Sequence, residues 1–381
     1  MSTDTNTDEA RMILEMVRDL ARTRIQPRAA EIDEKGEFPW DMKQLLAEQG
    51  ILGLPFAEEY GGSGASELTI LQVIEEISKS CATTALMLCV QQLGSLPIEL
   101  AGTPEQKKRY FPGLASGEWL AAYGLTEPGS GSDAGAMTTR AEKRGNEYVL
   151  NGMKHFITNA GLAHVNVIFA KTDMEASGTR GVSAFVVEGD RPGFRLGHVE
   201  HKMGIRGSQT GELIMEDCII PAENLLGREG DGFKIAMATL DRTRPGVGAQ
   251  ALGIAQGALD FAVQYSKTRK QFGKPIADNQ GIQFMFADME ASVEAARQLI
   301  YNVGRMIDSG SKNFGRQSAI AKLFASDMAI QVTSDAIQIL GGYGYMREFP
   351  VERMMRDAKI CQIYEGTNQI QRMVIARDLL K

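Results

Sequence analysis

Glu365 stands between Tyr364 and Gly366, with Ile360 and Ile363 just before it, in the stretch Gln362-Ile363-Tyr364-Glu365-Gly366-Thr367-Asn368-Gln369-Ile370-Gln371-Arg372. A carboxylate set against apolar groups loses hydration. That disfavours its charged form and raises its pKa toward that of a useful general base. Gly366 has no Cβ and would let another molecule approach the backbone closely. Alone, a Glu-Gly pair reads as a solvent-facing carboxylate before a turn. Other segments change that reading.

Tyr123-Gly124-Leu125-Thr126-Glu127-Pro128-Gly129-Ser130-Gly131-Ser132-Asp133 is rich in glycine and hydroxyls and can present backbone N–H groups to a polar ligand. It is not a Rossmann fingerprint. The spacing Gly129-x-Gly131-x-x-x-Gly135 is one residue too long, and Ala136 to Arg144 reads as extended chain, not as a helix. Phe156-Ile157-Thr158-Asn159 sets an aromatic ring two residues from a hydroxyl at a strand end. Gln338-Ile339-Leu340-Gly341-Gly342-Tyr343-Gly344-Tyr345 ends a helix in a glycine cluster, and Thr268-Arg269-Lys270-Gln271-Phe272-Gly273-Lys274-Pro275 joins two helices through a basic, aromatic turn. Asp241-Arg242-Thr243-Arg244 reads by default as a solvated helix face with local ion pairs. Taken singly, each of these is more often a matter of packing, capping or a surface turn than of function.

The elements that must position them fall into three textures. Up to about residue 118 the pattern is helical, with Ile13, Met16, Val17 and Leu20, then Leu71, Ile74 and Ile77, at helical spacing. Thr103-Pro104-Glu105-Gln106 starts a helix with a capping residue and a proline at the first position. From 119 to 230 the period shortens to two. Candidate strands are Trp119–Leu125, Glu147–Asn151, His164–Ala170, Val182–Glu188, Phe194–Val199 and Gly211–Cys218, which indicates a small antiparallel sandwich or barrel. From 231 to 381 the chain is helical again. Ile282, Met285, Phe286, Met289, Val293, Ala296, Ile300, Val303 and Ile307 share one face, and Ile320, Leu323, Phe324, Met328 and Val332 mark another helix. The expected fold is mainly α with a central β-domain, the last part a helical bundle with surface left for subunit contacts.

Composition bounds the rest. The chain has 381 residues, 43% hydrophobic and 23% charged, and its net charge of -7 argues against a nucleic-acid partner. Met1 to Ala10 is polar and acidic and lacks the features of a secretory signal or transit peptide, and no apolar run reads as long enough to span a bilayer. The expected location is therefore cytoplasmic. Cys81, Cys89, Cys218 and Cys361 have no metal-ligand spacing, and the four histidines form no HExxH pattern, so reduced buried thiols and no metal are expected.

Together YGLTEPGSGSD, FITNAG, LDRTR, TRKQFGKP, QILGGYG and IYEGTNQIQ, in this order from about Met12 to Leu380, resemble the acyl-CoA dehydrogenase family. The resemblance implies a helical N-terminal domain, a β-domain and a C-terminal four-helix bundle, assembled as a homotetramer that holds FAD. It implies oxidation of an acyl-CoA thioester to the 2-enoyl-CoA in fatty acid or amino acid catabolism, with electrons passing to an electron-transferring flavoprotein. By matching position, Glu365 is the expected base for the α-proton. Leu125, Thr126, Gly131, Ser132, Phe156 and Thr158 are expected to contact FAD, Ser132 also lying near the CoA arm. Arg269, Gln271, Phe272, Gln280, Gln338, Gly341 and Gly342 look like contacts to the FAD of a neighbouring subunit, and Thr367 and Gln369 are expected to hold the adenosine-diphosphate part of FAD. Asp241 and Arg244 resemble residues that contact CoA, and Tyr364 and Gly366 those that lie against the substrate.

Some members place the base where this chain has Thr243, which is no carboxylate, so Glu365 is the candidate. No arginine occurs between Arg28 and Arg109, which leaves a dicarboxylic substrate without the anchor that glutaryl-CoA enzymes use and favours an uncharged acyl chain. Two other readings stay open at this point. An oxidase-like relative would pass electrons to O2, and a non-catalytic flavin or CoA-binding scaffold would be expected to have lost the base.

Overall fold

In the computed structural model of the chain, residues 8–176 and 178–381 are described, so most of the polar stretch Met1 to Ala10 lies outside the described residues. The helices α1 (Asp8–Leu20), α2 (Ala29–Lys35), α3 (Trp40–Glu48), α4 (Glu67–Ser78), α5 (Ala82–Ala101) and α6 (Pro104–Ala115) come first. Side chains close their ends. Ser66 Oγ accepts from the Thr69 N–H at the start of α4, and Thr103 and Gln106 form a reciprocal capping box ahead of α6. These bonds satisfy N–H groups that a helix start leaves without partners. Contrary to the sequence expectation, α5 is long and apolar enough to cross a bilayer, but 78% of its apolar window is buried against neighbouring elements. It is the central core helix of this half, packed on α4, α6 and the first strand.

The strands β1 (Ala121–Gly124), β2 (Arg140–Arg144), β3 (Glu147–Thr158), β4 (Val165–Lys171), β5 (Val182–Glu188), β6 (Phe194–Val199), β7 (Thr210–Pro221) and β8 (Leu225–Leu226) form one sheet. Its order is β6-β7-β3-β2-β4-β5-β8, with β1 beside β4. The antiparallel expectation needs one correction: β1 runs parallel to β4, and β2 touches β4 in parallel at Arg140 and Lys171. β4 and β5 are buried along almost their whole length, so period-two alternation is lost there and strand direction has no sequence signal. β3 continues past its expected end at Asn151 to Thr158, through register shifts at Leu150/Gly152 and Lys154/Ile157. The second shift carries Phe156 at φ +58° with its ring 61% exposed. A bulge re-aims side chains in this way.

The last region holds α7 (Gly232–Thr268), a hairpin of β9 (Lys270–Gln271) and β10 (Lys274–Pro275), then α8 (Gln280–Asp308), α9 (Gly315–Leu340), α10 (Pro350–Ile360) and α11 (Asn368–Leu379). α8 buries Met289, Val293, Ala296, Ile300 and Val303, the face its periodicity predicts. α9 does not follow its prediction. It buries Ser318, Ala319, Ala321, Lys322, Ala325, Ser326, Met328, Ala329 and Val332, while Ile320 and Leu323 are half-buried and Phe324 is 38% exposed. Close packing of α9 on α7 selects small side chains for the contact, so bulk is a poor guide to its inner face. The main core joins α4, α5, α7, α8 and α9, and two smaller clusters fill the sheet and its junction with α5 and α6. The architecture is thus mainly α, with a sheet domain between two helical regions.

Candidate active site

After α10 the chain tightens, with the Ile363 and Tyr364 N–H groups both donating to the Ile360 carbonyl at 2.8 and 3.0 Å. Glu365 then takes φ +51° and Gly366 φ +92°. A left-handed non-glycine residue costs about 1–3 kcal/mol and persists only where its surroundings enforce it. Here they do. Arg244 Nε on α7 and Gln371 Nε2 on α11 donate to the Glu365 carbonyl at 3.4 and 3.3 Å. Gln371 Nε2 and Lys322 Nζ on α9 donate to the Gly366 carbonyl at 2.9 and 2.8 Å. The φ of Gly366 favours glycine, and a Cβ there would stand 2.7 Å from Gln371 Nε2 and so would displace the amide that holds the turn. With both carbonyls held by the bundle, the Glu365 N–H is left with no acceptor among the described residues.

The Glu365 carboxylate is half-buried and accepts from Thr243 Oγ1 at 2.6 Å. That hydroxyl also lies 3.2 Å from the Thr239 carbonyl. It has one proton for two acceptors, so its direction of donation follows the charge on Glu365. Burial pushes the Glu365 carboxyl above its ordinary pKa, against the opposing pull of the Thr243 hydrogen bond, Arg244 and Lys322. The solvated-face reading of Asp241 to Arg244 is therefore corrected. Thr243 and Arg244 are each only 3% exposed, and Arg244 pairs with Asp241 while gripping the Glu365 turn. Packing of α7 beneath the turn turns this face inward. The Tyr364 hydroxyl donates to Gln250 Oε1, and Gln250 Nε2 donates to the Ala82 carbonyl at 3.0 Å, tying the turn across α7 to α5.

The glycine- and hydroxyl-rich loop after β1 lies on the same side. Tyr123 donates from its hydroxyl to the Ala236 carbonyl of α7 at 3.2 Å and is close enough to Glu365 for that charge to raise its pKa further, after burial. Leu125 is buried, Thr126 half-buried, and Gly131 and Ser132 are exposed. Beneath the loop Lys154 Nζ meets Glu127 Oε1 at 2.7 Å, and neither side chain reaches the surface appreciably. This pair sits at the bulge that turns Phe156 outward, with the half-buried Thr158 two residues on.

The other expected cofactor residues gather elsewhere. Arg269, Gln271, Gly341 and Gly342 line a cavity of about 520 Å³ together with Tyr265 and Tyr343. The Arg269 guanidinium lies 5.2 Å from the Tyr343 ring centre. Phe272 is on the hairpin tip at φ +53° and 97% exposed, and Gln280 and Gln338 are exposed nearby in sequence. No residue of the Glu365 turn or of β1–β8 lines this cavity, so in one chain the expected FAD contacts fall in two places. Thr367 uses its hydroxyl to cap α11, accepting from the Ile370 N–H at 3.3 Å, and Gln369 is exposed. Sequence reasoning missed Lys154, Gln250, Lys322 and Gln371. The detectable signal was a charged residue within an otherwise small, inward-facing run, as in Ala321-Lys322 with Ala325-Ser326 one turn on.

Three family models cover the chain: "Acyl-CoA dehydrogenase, N-terminal domain" over residues 7–118, "middle domain" over 122–218 and "C-terminal domain" over 230–380. An "Acyl-CoA dehydrogenase" of Bacillus subtilis is 49% identical over 375 residues, 98% of each chain. The structure of butyryl-CoA dehydrogenase from Megasphaera elsdenii superposes with a TM-score of 0.96 at 46% identity, covering 100% of both chains. A chain in a structure described as the electron transferring flavoprotein of Acidaminococcus fermentans superposes with a TM-score of 0.97 at 48% identity, again over 100% of both.

Proposed function

Because this chain belongs to the acyl-CoA dehydrogenase family, whose FAD-dependent reaction converts an acyl-CoA to the 2-enoyl-CoA, we propose that Glu365 is the base of that reaction. The observation that carries the proposal is the turn itself. A carboxylate with a raised pKa and an unpartnered N–H on the same residue are held rigidly by four side chains from three helices. The carboxylate takes the α-proton. The N–H is free to donate to the thioester oxygen, where negative charge develops. Thr243 steadies the carboxylate before transfer and can accept from the carboxyl group afterwards.

The residues present suit FAD. Phe156 offers an exposed ring beside Thr158, and the loop at Gly131 and Ser132 is open to a polar ligand. Nothing lies within 4 Å of a Cβ built on Gly129, Gly131, Gly341 or Gly342, so these backbones can be approached closely. When bound, FAD supplies the acceptor for the β-hydrogen and its electron pair. Leu125, Thr126, Gly131, Ser132, Phe156 and Thr158 would hold it on one side. Arg269, Gln271, Phe272, Gln280, Gln338, Gly341 and Gly342 would contact it from the other, while Thr367 and Gln369, next to the Glu365 turn, would hold its adenosine-diphosphate part. The separation of these two sets on one chain supports completion of the site by a second subunit, and the exposed Phe272 and Tyr345 suit burial in a tetramer. Asp241 and Arg244 would face the CoA portion, with Tyr364 and Gly366 against the thioester.

An uncharged acyl group is the favoured substrate, since no arginine between Arg28 and Arg109 is available to anchor a second carboxylate. An electron-transferring flavoprotein is the proposed acceptor, supported by the likeness to the Acidaminococcus fermentans chain. The test is anaerobic addition of straight, branched, cyclic and dicarboxylic acyl-CoAs while flavin absorbance is followed. Bleaching by a monocarboxylic acyl-CoA is expected. No bleaching by any, or stoichiometric peroxide from O2 without another acceptor, would overturn the reading.

A further inference from the structure

Lys322 is fully buried on α9, where its Nζ donates to the Gly366 carbonyl at 2.8 Å and to Asn368 Oδ1 at 2.9 Å. Among the described residues no carboxylate bonds to it directly, although Glu365 and Asp327 lie close enough for their charges to favour its protonated form. Removing an ammonium from water without a counter-charge costs several kcal/mol. The two hydrogen bonds go to neutral acceptors and supply no counter-charge. Gln371 also serves the Gly366 carbonyl at 2.9 Å, whereas the single Ser326 Oγ proton has the nearer Lys322 carbonyl at 2.8 Å as well as Asn368 Oδ1 at 3.1 Å. What remains unexplained is the positive charge.

α9 grips the turn along one line. One step beyond Lys322 and Ser326, Asp327 accepts from Gln362 Nε2 at 2.6 Å, Asn368 Nδ2 at 2.7 Å and Arg372 Nη2 at 3.0 Å. Lys322 stands where this line passes behind Glu365. We infer that Lys322 is a positioning residue for the reaction, pinning the Glu365–Gly366 turn on α9 and holding Glu365 ionised in a site that substrate makes dry. The inference rests on the reading of Glu365 as the base. When an acyl chain excludes water, dehydration drives a carboxylate toward its neutral form, which cannot take a proton. A fixed cation behind the turn opposes that drift.

Lys322 shares this task with Arg244, whose charge favours ionised Glu365 more strongly, but the two cations are placed differently. From α7, Arg244 is paired with Asp241, and from α9 and α11, Asp327 is paired with Arg372. Cys89 of α5, Cys361 after α10, Tyr123 of β1 and Tyr364 of the turn are all raised by burial and stay neutral across the acid range. Burial also lowers Lys322 itself, to about 8, which leaves it charged below that pH.

The experiment compares wild type, Lys322→Gln, Lys322→Arg and Glu365→Gln as FAD-loaded proteins. It reads the anaerobic rate of flavin bleaching against pH, using whichever acyl-CoA bleaches wild type fastest. In Lys322→Gln the acid limb should move up by about one pH unit and the plateau rate fall at least about tenfold, with half-saturation changed less than about threefold. Lys322→Arg should keep the acid limb where wild type has it. An unmoved limb in Lys322→Gln, or a loss confined to half-saturation, overturns the inference. If Lys322→Gln yields no folded holoprotein, Lys322→Arg decides: a limb displaced despite the retained charge overturns the inference, and an unmoved one supports it. Bleaching at the wild-type rate in Glu365→Gln would overturn the base assignment itself. A dead Glu365→Gln beside an unmoved limb in Lys322→Gln would overturn only the role of Lys322.

Discussion

Lys154 and Lys322 are both fully buried, yet they sit in opposite electrostatic settings. Lys154 meets Glu127 at 2.7 Å, and Glu127 also accepts from the Thr138 N–H at 2.6 Å, Thr138 Oγ1 at 2.8 Å and the Thr139 N–H at 3.0 Å. Burial opposes the charge on Glu127, but Lys154 and these donors more than offset it and hold the carboxyl well below the usual range. The charges cancel locally, and the unit fixes the loop carrying Leu125 and Thr126, whose Leu125 carbonyl accepts from Lys154 at 3.2 Å. Lys322 has only neutral hydrogen-bond acceptors, so its field reaches the nearby acids, Glu365 and Asp327. A buried charge compensated in place organises the chain around it. One left uncompensated acts on its neighbour.

The largest expected effect lies at that neighbour. Glu365→Gln should slow flavin bleaching by at least about a thousandfold while FAD content and acyl-CoA binding persist. A variant that still bleached quickly would remove the reason for a cation behind the turn.

The two lysines themselves give the next effect. Lys154→Met leaves Glu127 buried without its cation and should cost about 3–5 kcal/mol in denaturant unfolding, most of it recovered by adding Glu127→Leu. Lys322→Met leaves no orphaned carboxylate, the Gly366 carbonyl keeps Gln371 as a donor, and only Asn368 Oδ1 must compete for the Ser326 hydroxyl, so a loss of no more than about 2 kcal/mol is expected. Equal losses in the two variants would break the comparison.

The smallest effect is in pH dependence, where stability rises with pH at both sites but in different windows: Glu127 titrates in acid, whereas Lys322, like Lys154, titrates between about 8 and 10.5. Lys322 is lowered from the ordinary lysine value of 10.5 to about 8. Between those pH values the unfolded chain binds the proton that the folded chain has released, so folded wild type gains stability relative to Lys322→Met as pH rises through that window. Glu127 is lowered from 4.5 in the folded chain, so its contribution is present above pH 4.5 and lost as pH falls below it. The stability gap between wild type and Lys154→Met should therefore narrow in acid. Thermal unfolding across pH checks both slopes.

Much of the fold was legible because it rests on local patterns. The capping box at Thr103 and Gln106, the apolar stripe of α8 and the limits of β5 and β6 follow from neighbours in the chain. The inner face of α9 and the parallel pairing of β1 with β4 did not follow, because they depend on which element packs alongside. At the candidate site the Glu365 turn stood out, whereas its supports did not. Thr243 lies 122 positions from Glu365 and Gln250 lies 114 from Tyr364, and no periodicity links residues that far apart.

The order of elements, the family and the presence of a carboxylate before a glycine were determined by the sequence alone, since each is a property of residue type and spacing. Only the tertiary structure decided how that carboxylate is poised. Its raised pKa, its left-handed backbone and the cation behind it come from α7, α9 and α11 converging on one turn, and dehydration and Coulomb forces depend on distances that the linear order of residues does not contain.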